Sequence, residues 1–176
     1  MCTSTANPRR IASLAALWMC TSTANPRRIA SLAALWMDLV IWRKIMLNFK
    51  LSELIHSDTA INNNINNMPD INSLDNLLNL IVYCLQPIRE LIKKPMIITS
   101  GYRNAHVNQL VGGAATSRHC LGEAADFKIK GMKPNQIIQL IQKSNLVFDQ
   151  LINEHNLWVH ISYRKGKNRK QVLTIN

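Results

Sequence analysis

Two short stretches in the second half of the chain, AADFKI at 124–129 and WVHISY at 158–163, alternate between two faces with period two. A strand of that kind buries one face against a core and turns the other towards a cleft or solvent. Phe127 and Ile129 share one face and Asp126 and Lys128 the other, while Val159, Ile161 and Tyr163 oppose Trp158, His160 and Ser162. Asp126 and His160 are therefore expected on faces turned away from the core.

The remaining elements follow from the same patterning. MIIT at 96–99, VFDQLINE at 147–154 and KQVLTI at 170–175 read as further strands. The stretch 73–94 carries Leu74, Leu77, Leu78, Ile81, Leu85, Ile88 and Ile92 at helical spacing, with Pro87 expected to kink or restart the helix. SGYRNAHVNQLVGG at 100–113 runs from a turn into a short helix stopped by Gly112 and Gly113. Pro134 opens a helix through Ile137, Ile138 and Ile141. Helices come early and strands late, which predicts an α+β fold with a small, mostly antiparallel sheet flanked by helices.

Residues 1–18 recur identically as 19–36. Two perfect copies are not a solenoid, which needs more repeats that have diverged, so 1–45 is read as a duplicated leader outside the fold and 46–176 as the domain. The leader does not read as a secretion signal, because its apolar run is short and Arg27 and Arg28 stand where a cleavage site should follow. Stable membrane insertion is not expected. The four cysteines form no CxxC pair, so neither a disulfide framework nor a zinc knuckle is suggested.

A net charge of +11 favours polyanionic partners without choosing among them. The basic run RKGKNRK at 164–170 lacks interleaved aromatic residues and reads as a solvated turn, so nucleic acid is not expected as a partner.

The chemistry concentrates in SRHCLGEAAD at 117–126. If the strands carrying Asp126 and His160 are neighbours, and the loop holding His119 folds back through Gly122, two imidazoles and one carboxylate converge. Three protein ligands are what a catalytic Zn²⁺ site uses, with a fourth position left for water. Singly, each residue also fits an ordinary structural role, and the combination carries the assignment. Cys120 beside His119 does not make a thiol nucleophile, since no orienting Asn or Asp accompanies it; it reads as a small buried side chain.

SGYR at 100–103, VGGA at 111–114, SRHCLGEAAD, FDQLINE at 148–154, WVHISY and NRKQVLTI at 168–175 occur in order, and from about Met46 to Asn176 the chain resembles the zinc D-alanyl-D-alanine carboxypeptidases. These M15A-like murein peptidases share the hedgehog/DD-peptidase fold, and the likeness is greatest to their phage and prophage, endolysin-like branch. The resemblance implies His119, Asp126 and His160 as zinc ligands, Arg103 as a binder of a substrate carboxylate, and Ser117 as a hydrogen-bonding group near the scissile peptide. It implies Glu154 as general base, although several members place their acid three residues before the second histidine, where this chain has Leu157; Glu123 and Asp149 are the fallbacks, and His155 is a substrate contact. The implied activity is hydrolysis of a peptidoglycan stem peptide, as a carboxypeptidase or an endopeptidase. A non-catalytic zinc-containing module that binds the wall or belongs to a virion is the alternative. The implied setting is a monomer made in a bacterial cytoplasm and acting on the cell wall, by an unstated export route.

Overall fold

The computed structural model describes residues 48–176. The duplicated leader, with Cys2 and Cys20, lies outside them. Two short helices, α1 (Leu51–Ile55) and α2 (Asp58–Asn62), precede the Asn-rich loop. The Asp70 side chain accepts a hydrogen bond from Ser73 N and caps α3 (Ile71–Leu80). The helix does not simply kink at Pro87: it widens into a π-helical stretch, Ile81–Leu85, and resumes as α4 (Gln86–Ile92) with Pro87 in the first turn. Pro87 has no N–H to donate, so the regular helical ladder is interrupted at this point.

The buried stripe also differs from the expected one. Leu77, Ile81, Leu85 and Ile88 are buried as expected, but Leu80 and Cys84 join them, whereas Leu74 and Leu78 are only half-buried. Each fully buried leucine or isoleucine contributes about 1.5–3 kcal/mol.

Then come β1 (Met96–Ser100), α5 (Ala105–Leu110), a 3-10 turn (Arg118–Leu121), β2 (Ala124–Ile129), α6 (Pro134–Gln142), β3 (Gln150–Glu154), β4 (Trp158–Ser162) and β5 (Gln171–Ile175). The five strands form one sheet in the order β1-β2-β4-β3-β5. Three pairings are antiparallel, and β5 joins β3 in parallel. The fold is α+β, with a small mixed sheet and helices packed against it.

One face of the sheet is the core. Phe127, Leu151, Val159 and Ile161 are fully buried there with Ile137 and Ile141 of α6 and the apolar stripe of α3 and α4. The opposite face carries Asp126, His160 and their neighbours. The β3–β4 turn passes through His155 and Asn156, both at positive φ, and closes with Leu157 N donating to Glu154 O. That left-handed pair matches the twist of the hairpin.

The basic run is more than a solvated turn. Arg169 donates through Nε and an Nη group to both oxygens of Asp149, at 2.7 and 2.8 Å, and pins the segment leading into β5 against the start of β3.

Candidate metal centre

The ladder between β2 and β4 sets Asp126 directly opposite His160, so both side chains rise from the same face. His119 arrives from the 3-10 turn, not from an extended loop. Gly122 ends that turn at φ +70°, and a Cβ there would meet Ser73 O, so the backward turn requires glycine.

His119 Nδ1 donates to the carbonyl of Gly101 at 2.7 Å. A carbonyl only accepts, so this bond leaves the lone pair of His119 on Nε2, facing the site. Gly101 lies so close to α1 that a Cβ would run into the backbone of Leu54. Only glycine fits there.

His119 Nε2 lies 3.2 Å from His160 Nδ1 and 3.3 Å from Asp126 Oδ1, and His160 Nδ1 lies 2.8 Å from the same oxygen. A tetrahedral centre with bonds near 2.0–2.1 Å has ligands about 3.3 Å apart. The three atoms thus approximate one face of such a tetrahedron, and these residues could hold a metal ion. All three are buried. Burial alone would raise the Asp126 carboxyl, but the His119 and His160 rings, when protonated, outweigh it through their hydrogen bonds and charge and hold the group well below the usual carboxylate range. Asp126 therefore stays ionised, as a ligand must.

Its second oxygen is also used. Arg103 donates through an Nη group to Asp126 Oδ2 at 3.0 Å and through Nε to Ser100 Oγ at 2.9 Å. Ser100 reaches this face because β1 bulges between Ile98 and Ser100, which brings Ser100 opposite Asp126. The sequence reading missed Ser100 and the Gly101 carbonyl, although both sit inside the SGYR stretch.

Glu154 pairs with Trp158 across the β3–β4 ladder, one row along the same face from His160, and its side chain is half-buried. Diagonal neighbours of this kind stand about 7–8 Å apart. Ser117 precedes the 3-10 turn, half-buried, with its hydroxyl making no hydrogen bond among the described residues. Asp149 is committed to Arg169, and Glu123 lies 3.1 Å from Arg118 and 3.7 Å from Arg164. His155 lies in the exposed turn, edge-on to Trp158. Cys120 is half-buried, less enclosed than expected, and desolvation raises its thiol.

No helix among the described residues is long and apolar enough to cross a membrane. A search of curated proteins returned no match. The family model for Peptidase M15 matches residues 47–162, from just before α1 to the end of β4, a span that contains the whole His–Asp–His cluster. Since the match covers about two-thirds of its residues, the chain belongs to the Peptidase M15 family.

Proposed function

We propose that the chain is a zinc-dependent peptidase that hydrolyses a peptide bond in the stem peptide of peptidoglycan. The observation that carries this reading is the tetrahedral spacing of His119 Nε2, Asp126 Oδ1 and His160 Nδ1, with the His119 tautomer fixed by Gly101. Zinc held by these atoms supplies Lewis acidity, which polarises a carbonyl and acidifies water.

The protein groups divide the remaining work. Glu154, on the same sheet face as His160, takes a proton from the attacking water and passes it to the leaving amine. Arg103 holds Asp126 in position and offers its remaining N–H groups to a substrate carboxylate. The Ser117 hydroxyl donates to a carbonyl beside the scissile bond. The reaction class is D-Ala-D-Ala carboxypeptidase or endolysin-type endopeptidase, in a phage or prophage setting, with the wall as partner and no role for nucleic acid.

The test is mass spectrometry of purified muropeptides incubated with the full chain, with and without a chelator. The expected result is two fragments that together gain one water, lost with chelator and regained with added zinc. Cleavage indifferent to chelator contradicts the metal chemistry. Bound zinc without cleavage leaves the reading of a non-catalytic, zinc-containing wall-binding or virion module instead.

A further inference from the structure

A shallow cleft of about 240 Å³ opens at the end of β2 beside the β3–β4 turn, with Ile97, Lys128, Lys130, Leu157 and Trp158 in its walls. Three of these belong to the row of the sheet next to the His–Asp–His cluster. Ile97 pairs with Lys128, and Phe127 pairs with Val159, so Lys128 and Trp158 are the next neighbours across β2 and β4. This row is two residues from Asp126, about 7 Å along the strand. An extended peptide advances about 3.3–3.6 Å per residue, so a substrate bond held at Asp126 and His160 brings a residue roughly two positions away to the cleft.

The walls select for a particular kind of residue. Ile97 and Leu157 are 54% and 58% exposed and, with the indole of Trp158, form an apolar surface. Lys128 holds its Nζ 6.0 Å from the centre of that indole. Among the described residues no carboxylate forms an ion pair with Lys128. Lys130, exposed in the turn that follows β2 and also in the cleft wall, adds a second positive charge. A ligand with an apolar stem and a carboxylate end satisfies both parts, whereas a cationic one would face two ammonium groups.

We infer that this cleft is a subsite for a carboxylate-bearing residue of the substrate peptide, with Lys128 as its anion-binding group and Trp158 as its apolar wall. The subsite's place relative to the bond rests on the peptidase reading above, and its preference for an anion does not.

The full, zinc-loaded chain is titrated calorimetrically with two synthetic stem peptides that differ only at the isoglutamyl residue, a free acid in one and an amide in the other. The acid form is expected to bind roughly tenfold more tightly. Lys128→Gln brings the ratio of the two affinities close to one, and Lys128→Arg retains it. A ratio unchanged in Lys128→Gln, or no preference in the unsubstituted protein, overturns the subsite. Cleavage is scored separately by mass spectrometry: acid preference without cleavage removes the peptidase reading and leaves the subsite standing, and cleavage without preference does the reverse.

Discussion

Asp126 and His160 face each other across the β2–β4 ladder, with Asp126 Oδ1 2.8 Å from His160 Nδ1. Strand register alone brings them together. A slip of one residue would turn His160 into the core and Val159 towards the site, so the buried faces of the two strands specify the candidate centre as firmly as they specify the sheet.

Glu154→Gln keeps the size of the side chain but cannot take a proton. The variant is expected to bind metal at the unsubstituted level and to lose about 10²- to 10⁴-fold in kcat, measured as initial rates on a muropeptide. Unchanged turnover would assign the base to another residue.

Gly101→Ala places a methyl against the backbone of Leu54 and displaces the carbonyl that orients His119. Overpacking of this kind costs about 1–3 kcal/mol, and disturbing a group that orients a ligand weakens metal binding roughly tenfold or more. Thermal unfolding and a competitive metal titration measure the two effects. A variant with normal metal affinity would show that the Gly101 carbonyl does not set the His119 tautomer.

Asp149 is fully buried, and its hydrogen bonds with Arg169 outweigh desolvation to hold its carboxyl below the usual range. A depressed folded-state value stabilises the fold above the unfolded value near 3.9, and that contribution is lost as pH falls through the folded value. Asp149→Asn is thus expected to lower Tm at neutral pH by an amount that shrinks below about pH 4. A constant difference down to pH 2 would assign the stabilisation to something other than this ion pair.

Local patterning made much of this fold legible. Period-two alternation located β2 and β4 and their faces turned away from the core, and Pro134, Gly112 and Gly113 marked where helices begin and end. What escaped depends on partners distant in sequence. The bulge that presents Ser100 exists only once β1 is laid against β2, and the parallel pairing of β5 with β3, flanked by the Arg169–Asp149 contact, joins segments about twenty residues apart. The π-helical stretch before Pro87 is a backbone accommodation that hydrophobic spacing does not encode. Arg103 is visible in SGYR, yet its bond to Asp126 Oδ2 is a contact across 23 residues.

The central claim is that His119, Asp126 and His160 hold one catalytic zinc ion, and metal content of the purified full chain by mass spectrometry tests it most directly. About one zinc per chain is expected for the unsubstituted protein. His160→Ala removes one corner of the ligand triangle and is expected to leave the protein folded by circular dichroism but with little zinc. Stoichiometric zinc retained by folded His160→Ala would contradict the assignment.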